Sequence, residues 1–429
     1  MERVSINLPY GSKELSFHLP QGRLLALASP RSMEVRVDPT SEIQRALANP
    51  IQAAGLSELA HGKRRVVIVA DDFTRLTPVE YMVPLVLDAL NRGGVRDEQV
   101  KVLVALGTHR PMTLGELREH FGEETLRRVQ VVNHPWQDPG ELVSLGSTPN
   151  GTPVSIARIA VEADLLVGLG SIVPHHIPGY SGGAKIIQPG ISGSETTGAT
   201  HYLSTRTRRS YLGLVENPVR AEMEGIARQV GLSVILNTVL DASGRLIRAF
   251  YGDLVGAHRA GVALARQVYG VPLPGQADIV IAGSHPCDLE FWQAHKALYP
   301  ADMAVKPGGT IVVVTPCPEG VAVTHAEMLA YTATSSEQID RLIRQGAIRD
   351  IAAGALALAW AKVRERAKVY LVSDGISPED ARALGFVHYS DVEDALEDAV
   401  YNLRCVRKDE MPAITVLTHA PDMLPLLPE

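Results

Sequence analysis

Short apolar runs alternate with longer amphipathic segments along most of this chain. Uninterrupted runs of Val, Ile, Leu and Ala are typical of strands that are buried on both faces of a parallel sheet. In the first part of the chain such strands are predicted at 65–70, 100–106, 164–169 and 234–240. Apolar residues at helical spacing predict helices at 41–60, 83–90, 114–121, 217–230 and 253–268. The alternation predicts an α/β fold whose mainly parallel sheet is flanked by helices.

Two glycines and two prolines interrupt this alternation of strands and helices at residues 270–275, and the same alternation resumes beyond them. Further strands are predicted at 279–282, 310–315, 369–372 and 414–417, with helices between them. We therefore predict two α/β domains, 1–272 and 273–412, each with a mainly parallel sheet flanked by helices, and an active site in the cleft between them. A C-terminal segment, 413–429, could return to the first domain.

Two segments that do not follow this alternation of strands and helices are predicted to form hairpins. Residues 1–40 alternate in short β-like pieces around Gly11, which suggests a hairpin at the edge of the first domain. Residues 133–155 are rich in proline and glycine and predict loops and a second hairpin.

Composition and charge narrow the function classes. The 429 residues carry a formal net charge of −7 without a sustained basic run, which argues against a general nucleic-acid-binding protein. Cys287, Cys317 and Cys405 lie far apart and form no disulfide framework, as expected in a reducing compartment. The sequence shows neither a signal-peptide pattern nor an apolar stretch of roughly 18 residues, so we expect a soluble, cytoplasmic protein.

Ionisable residues follow three of the predicted strands, where an open α/β sheet binds ligands. Asp72 and Arg75 follow the first strand, where Arg75 could bind a carboxylate or phosphate with Asp72 orienting it, or the two could form a surface ion pair. His109 follows the second strand and is either an acid–base group or a structural residue. The third strand leads into the stretch of the chain that carries the most candidate catalytic and ligand-binding residues.

That stretch runs from Pro174 to Lys185 and holds two adjacent histidines and a glycine-rich turn. Lys185 is either a counter-charge for phosphate or, if desolvated, a nucleophile. It does not fit a P-loop, because Ile186 stands where that motif has Ser or Thr. His175 and His176 should not face the same pocket if the backbone is extended there. His201 follows as a further acid–base group or metal ligand.

One more candidate site lies in the second half. Gln293 and Lys296 are three residues apart, on one face of a predicted helix, and could hold a small acid from across the cleft. The alternative is a solvated helix start. His295, between them, is expected outside the cluster.

Together these residues resemble a known family, the nickel-pincer-nucleotide-dependent lactate racemases, nearly from end to end. The matching motifs are Asp72-x-Thr74-Arg75, Gly107-Thr108-His109, Pro174-His175, Gly179-Tyr180-Ser181-Gly182-Gly183-Ala184-Lys185, His201, Glu216-Asn217-Pro218, Trp292-Gln293-x-x-Lys296 and Cys317-Pro318-Glu319-Gly320. Each motif alone is weak, but their order and spacing together are specific.

The resemblance implies a cofactor and residues that hold it. Lys185 would form a thioamide bond to a Ni(II) pyridinium-3,5-bisthiocarboxylic acid mononucleotide, the nickel-pincer nucleotide. His201 would be the protein ligand of its nickel. The cofactor would also contact Asp72, Phe73, Thr74 and Arg75. Proteins that synthesise the cofactor and insert nickel are the implied partners.

The resemblance also implies an activity, the inversion of C2 of a small 2-hydroxy acid. The family's reaction is a proton-coupled hydride transfer to the cofactor through a 2-keto acid, with His109 and His175 as the acid–base pair. The substrate would contact Arg75, Trp292, Gln293 and Lys296. The chain would then be an isomerase, a racemase or epimerase of hydroxy acids.

Two departures concern the substrate. Trp292 stands where the family's racemase of lactate has a tyrosine. At the position of a wall tryptophan the alignment puts Ala355, with Trp360 displaced by more than a helical turn. Both changes argue for a side chain larger or more polar than the methyl of lactate.

Two other function classes stay open on the residues. One is a phosphate- or nucleotide-binding metalloenzyme in which His109, His175 and His201 share a divalent metal. The other is a protein that carries the nickel cofactor without catalysis.

Overall fold

The computed structural model describes residues 2–31, 37–407 and 411–428. Through Pro272 its strands are β1 (Arg3–Tyr10), β2 (Lys13–Pro20), β3 (Leu24–Ala28), β4 (Val66–Asp71), β5 (Val100–Ala105), β6 (Gln130–Asn133), β7 (Leu142–Ser147), β8 (Pro153–Ala157), β9 (Leu165–Ser171), β10 (Pro174–His175), β11 (Gly179–Tyr180), β12 (Leu232–Leu240), β13 (Leu246–Gly252) and β14 (Gly270–Pro272). The helices of the same part are α1 (Pro39–Ala48), α2 (Leu56–Leu59), α3 (Val79–Arg92), α4 (Leu114–Arg128), α5 (Arg158–Val161), α6 (Ser194–Ser204), α7 (Pro218–Val230) and α8 (Gly256–Tyr269).

Beyond Pro272 the strands are β15 (Ala277–Gly283), β16 (Val305–Val314), β17 (Lys368–Val372), β18 (Val387–Tyr389), β19 (Ile414–Leu417) and β20 (Leu424–Leu426). The helices are α9 (Phe291–Ala294), α10 (Leu298–Ala304), α11 (Ser336–Arg344), α12 (Ile351–Arg364), α13 (Pro378–Ala383) and α14 (Val392–Arg407). In the described ranges no helix is long and apolar enough to cross a lipid bilayer.

The first six-stranded sheet has the order β13-β12-β9-β4-β5-β6. All its neighbours are parallel except β13, which runs antiparallel to β12 at one edge. The central strand β9 is buried along its whole length, which explains its unbroken apolar sequence. The predicted parallel sheet is confirmed, and the antiparallel edge strand is an addition.

The second six-stranded sheet has the order β18-β17-β16-β15-β19-β3 and is parallel throughout. The two sheets with their flanking helices confirm the predicted α/β class with two domains. The strands predicted at 279–282, 310–315, 369–372 and 414–417 are β15, β16, β17 and β19.

The first hairpin forms as predicted, from β1 and β2, but its predicted position is wrong. Phe17 and its apolar neighbours pack with Ile281 and Val312 of the second sheet, not with the first. The cause is β3, which follows the hairpin and pairs with β19. At the other end of the chain β20 pairs with β14. The boundaries predicted near residues 272 and 412 stay a prediction.

Other local differences have simple backbone causes. The helix predicted at 41–60 is two helices, α1 and α2, separated around Pro50, which lacks the N–H a continuous helix requires. The helix predicted at 114–121 extends to Arg128 with a break at Gly122, whose φ is 73°. The start of α7 is as predicted, because the Asn217 side chain accepts a hydrogen bond from the backbone N–H of Arg220.

Candidate active site

The carboxyl ends of β4, β5 and β9 open into a cavity of ≈ 80 Å³ that residues of the second half close from the other side. The cavity brings together most of the predicted site residues, namely Asp72, Arg75, His109, His175, Lys185, His201, Trp292, Gln293 and Lys296. Phe73 and Thr74 line an adjoining cleft instead. There Phe73 lies under the guanidinium of Arg110, 4.7 Å from its ring centre.

Asp72 and His109 form a hydrogen-bonded pair at the cavity wall. His109 Nδ1 lies 2.6 Å from Asp72 Oδ2, and the Thr74 hydroxyl donates to the other carboxylate oxygen at 2.6 Å. Burial alone would raise the pKa of Asp72, but the neighbouring His109 and its hydrogen bond hold that pKa well below its usual range. The carboxylate therefore accepts, and Nδ1 of the imidazole carries the proton.

The other ring nitrogen of His109 faces the second half of the chain. Lys296 Nζ donates to Gln293 Oε1, and because an ammonium can only donate, the amide nitrogen of Gln293 is turned toward His109. That nitrogen lies 2.8 Å from His109 Nε2. Nε2 is consequently a lone-pair acceptor, ready to take a proton from a substrate hydroxyl that displaces the amide.

His175 has the opposite hydrogen-bond polarity. Its Nδ1 accepts from the backbone N–H of Ile177 at 3.2 Å, so Nε2 carries the proton in the neutral ring. Burial, with Lys185 next in importance, lowers the pKa of His175 well below its usual value. His109 and His175 thus present a lone pair and an N–H to one cavity, an arrangement that suits opposite proton transfers.

The expectation that His175 and His176 face different sides is wrong. Their rings stack with centres 4.6 Å apart, and His176 also stacks on Tyr299 at 4.0 Å. The expectation assumed an extended strand, whereas β10 ends at His175 and the chain turns at once. His295 was expected outside the cluster, but it lines the cavity and meets His176 edge to face at 5.1 Å.

Lys185 lies on a single helical turn after Gly182, whose φ of 70° is accessible to glycine at little cost. Burial, then the charges of Arg75 and Lys296, lower the pKa of Lys185 to about 7. In the described part of the chain its ammonium has no hydrogen bond or ion pair. A large fraction of neutral amine near pH 7 suits a nucleophile.

The glycine-rich turn does not cradle an anion. The N–H of Gly183 donates to Asn237 Oδ1 at 2.7 Å, and the N–H of Ser181 donates to the Val173 carbonyl at 2.8 Å. On the other side, the buried guanidinium of Arg220 binds the carbonyls of Tyr180 and Gly182. Because the N–H groups of Ser181 and Gly183 are engaged internally, these two are not available to bind a phosphate, and the turn positions Lys185.

His201 projects from α6 with one nitrogen already bound. Its Nδ1 donates to the Thr197 carbonyl at 2.8 Å, which leaves the Nε2 lone pair available. Burial and the charge of Lys185 lower the pKa of His201 to about 3, so the ring is neutral near pH 7. A neutral imidazole oriented by a backbone carbonyl is a typical metal ligand. Within the described residues no three His, Cys, Asp or Glu side chains converge on one metal position.

Two cationic side chains, Arg75 and Lys296, complete the lining of the cavity. Arg75 donates to the Thr74 carbonyl and hydroxyl at 3.1 and 3.2 Å, and no carboxylate of a described residue comes within ion-pair distance of it. Burial, followed by Arg75, lowers the pKa of Lys296 to about 8, so this amine is still largely protonated at pH 7. Arg75 and Lys296 together can hold a carboxylate.

Contacts from the second half hold the loop that carries His109. His325 Nδ1 is hydrogen-bonded to Asp350 Oδ2 at 2.5 Å, its Nε2 lies 2.9 Å from the Thr108 hydroxyl, and its ring stacks on Trp292 at 3.6 Å. Arg110 binds Glu319 at 2.8 Å. Sequence reasoning missed His325. It found Glu319 only as part of the Cys317-Pro318-Glu319-Gly320 motif.

The wall position assigned to Ala355 needs a correction. Ala355 is buried but does not line the cavity, whereas its neighbour Leu356 does. Consecutive residues of a helix point in different directions, so an alignment error of one residue suffices to exchange them. Trp360 is fully buried against Phe291 and His295, behind the cavity lining and not part of it.

The pair of Asp72 and His109 gives a direct prediction. In Asp72→Asn the amide can donate to Nδ1, which would move the imidazole proton to Nε2 and remove the base. We expect kcat to fall by about 10²-fold or more, as for other acid–base groups. Thr74→Val, which removes a hydrogen bond to the same carboxylate but keeps the charge, should cost much less. Equal losses in the two variants would contradict the assignment.

Comparisons with known proteins identify the family of the chain. The model of the lactate racemase N-terminal domain matches residues 10–213, and the model of the lactate racemase C-terminal domain matches residues 274–419. A lactate racemase of Thermoanaerobacterium thermosaccharolyticum is 35% identical over 324 residues, which cover 74% of this chain and 75% of that protein. A lactate racemase of Lactiplantibacillus plantarum is 30% identical over 410 residues, covering 92% and 95%.

Solved structures give the same result. The lactate racemase apoprotein of Thermoanaerobacterium thermosaccharolyticum superposes with a TM-score of 0.87 at 28% identity, over 99% of this chain and 100% of that one. A protein of Thermotoga maritima, at 20% identity, shares the fold with a TM-score of 0.72, over 92% and 100%. The chain is therefore a member of the lactate racemase family of isomerases.

Proposed function

We propose that this chain inverts C2 of a 2-hydroxy acid by moving a proton and a hydride. The observation that supports this most directly is the pair of imidazoles of opposite polarity, His109 and His175, on one cavity. The α-hydrogen beside an ionised carboxylate is poorly acidic, which favours its departure as hydride over deprotonation. The substrate would pass through a 2-keto acid.

The chain's own residues would hold the substrate and move its hydroxyl proton. Arg75 and Lys296 would bind the carboxylate, with Gln293 completing the contact. His109 Nε2 would take the hydroxyl proton of one enantiomer. After the keto acid has turned, the Nε2–H of His175 would give a proton to the carbonyl oxygen as the hydride returns; His175 would then regain a proton from solvent and His109 would lose its own to solvent. In the reverse direction His175 would first lose its Nε2 proton to solvent and His109 would gain one. Trp292, stacked on His325, would form the wall beside the substrate.

The residues present fit the nickel-pincer nucleotide. Lys185 is a cavity amine with a pKa near 7, which suits covalent attachment. His201 is a neutral imidazole with a free Nε2, which suits a single protein ligand for nickel. When bound, this cofactor would accept the hydride from C2 and give it back. We further propose that the chain depends on other proteins that synthesise the cofactor and insert nickel. We also propose that it works in the cytoplasm, because the thiols of Cys287 and Cys317 are free, as expected in a reducing compartment.

An isotope experiment tests the reaction. Holoenzyme is incubated in H₂O with lactate deuterated at C2, and with larger 2-hydroxy acids labelled in the same way. We expect inversion with the deuterium retained and a slower rate than for unlabelled acid. Loss of the label to solvent at the rate of inversion would point to deprotonation and exclude hydride transfer.

The same samples address the alternatives. Apoprotein with added zinc or magnesium should be inactive, because in the described residues the histidines of the site do not share one metal position. Activity under those conditions would support the metalloenzyme. Cofactor retained on Lys185 without turnover of any acid would support a carrier protein.

A further inference from the structure

The cavity has a small second lobe, of ≈ 40 Å³, beyond Arg75, His175 and Lys296. These three residues border both compartments. An acid whose carboxylate lies on Arg75 and Lys296, with its C2 hydroxyl near His175, could therefore place one small group on C3, such as a hydroxyl, in this lobe. The lobe's wall carries Asp422, from the C-terminal segment.

Asp422 is held firmly in this position. It ends a short helical turn, Ala420–Asp422, that contacts both β10, which carries His175, and the turn His295–Ala297, which carries Lys296. Immediately after it, β20 pairs with β14. The carboxylate is thus placed between two elements of the proposed substrate site and does not belong to a loose tail.

The other polar groups of the lobe are already hydrogen-bonded. The Tyr269 hydroxyl donates to the Leu240 carbonyl at 2.7 Å, and the Asp241 carboxylate binds Arg245 at 2.7 Å. The Ser171 hydroxyl lies 2.8 Å from that of Thr238. In contrast, no described residue donates a hydrogen bond to the Asp422 carboxylate. A partly buried acceptor without a donor is costly, and a ligand that supplies the donor removes that cost.

We propose that Asp422 is a specificity-determining residue that accepts a hydrogen bond from a hydroxyl on C3 of the substrate. The chain would then prefer 2,3-dihydroxy acids to lactate. This inference rests on the proposed inversion of a 2-hydroxy acid at C2.

The local charges favour a hydroxyl over a second carboxylate. Arg75 and Lys296 would hold the C1 carboxylate of the substrate, and Asp422 would repel a further carboxylate placed beside it. Burial raises the pKa of Asp422 to about 6, against the charges of Arg75 and Lys296, so it is mainly an acceptor at pH 7.5.

Two acids of equal size test the proposal. Glycerate carries a hydroxyl on C3 where 2-hydroxybutyrate carries a methyl, and holoenzyme is assayed with both and with lactate at pH 7.5. We expect kcat/KM for glycerate to exceed that for 2-hydroxybutyrate by about 10-fold or more, the usual contribution of a hydrogen bond to a charged group. In Asp422→Ala the ratio should fall to about 1, within 3-fold, because the acceptor is gone.

Controls separate this effect from misfolding. Asp422→Asn keeps the shape with a weaker, neutral acceptor, and we expect the ratio to fall by about 3-fold or more. Glu14→Ala, on the exposed side of the N-terminal hairpin, should keep the wild-type ratio. A ratio near 1 in the wild type, or a wild-type ratio in Asp422→Ala, would overturn the role of Asp422 and leave the C2 inversion intact.

Failure of the proposed function gives a different result from failure of the Asp422 proposal. If the wild type inverts none of the three acids, the assigned reaction is wrong. The affinities of the apoprotein for glycerate and 2-hydroxybutyrate, measured by calorimetric titration, then test the hydrogen bond to Asp422. Tighter binding of glycerate than of 2-hydroxybutyrate, lost in Asp422→Ala, would support the hydrogen bond. Equal binding of the two acids would overturn it.

Discussion

His109→Ala and His175→Ala are each expected to lower kcat for C2 inversion by about 10²–10⁴-fold, the usual contribution of a positioned acid–base group. Each variant lacks one of the two proton transfers, while neither residue is the proposed nickel ligand. Nickel content and covalent cofactor should therefore stay at wild-type levels. The measurement combines turnover of each enantiomer with metal analysis and intact mass. The exposed His61 supplies a control, His61→Ala, which should be fully active.

The opposite polarity of the two histidines sharpens this expectation. In His175→Ala, the enantiomer whose hydroxyl meets His109 should still be oxidised once, so that a 2-keto acid can be trapped without inversion. In His109→Ala, His175 presents an N–H instead of a lone pair, so little 2-keto acid should form from either enantiomer. Inversion at the wild-type rate in either variant, with the cofactor in place, would refute the acid–base pair.

Lys185→Ala is expected to abolish covalent retention of the cofactor completely, because the other lysine at the cavity, Lys296, is engaged with Gln293. Intact mass under denaturing conditions would then show the bare chain, whereas Lys13→Ala, on an exposed strand, would keep the adduct. An adduct that survives in Lys185→Ala would contradict the attachment site.

Attachment at Lys185 should also depend on pH in a defined direction. The buried amine has a pKa lowered to about 7, so it is protonated and unreactive below that value and neutral above it. The initial rate of adduct formation should rise with pH through about 7 and then level off. A rate that rises only near pH 10, as for an ordinary lysine, would show that desolvation does not activate this amine.

Several residues that line the candidate site can be predicted from the sequence because they follow buried strands. An unbroken apolar run such as β9 marks a parallel strand, and ligands bind beyond its carboxyl end. This pattern alone groups His109, Lys185 and His201 at one edge of the sheet. Their proposed roles, by contrast, came from the resemblance to a family, since spacing alone left phosphate binding open for Lys185.

Contacts between distant segments were not accessible in this way. The sequence does not encode locally that Gln293 turns its amide to His109, that His325 binds Thr108, or that Asp422 reaches the cavity. Strand order has the same limitation. The hairpin was recognisable from its alternation, but its place on the second sheet depends on β3 pairing with a strand near the end of the chain.

That pairing has a consequence for folding during synthesis. The strand β3 ends at Ala28, and its partner β19 begins only at Ile414, so β3 is synthesised long before the strand with which it pairs. Until β19 is made β3 has no partner strand, although the first sheet can already form from residues up to Gly252. The nascent chain must therefore keep β3 free of competing contacts until β19 has been made.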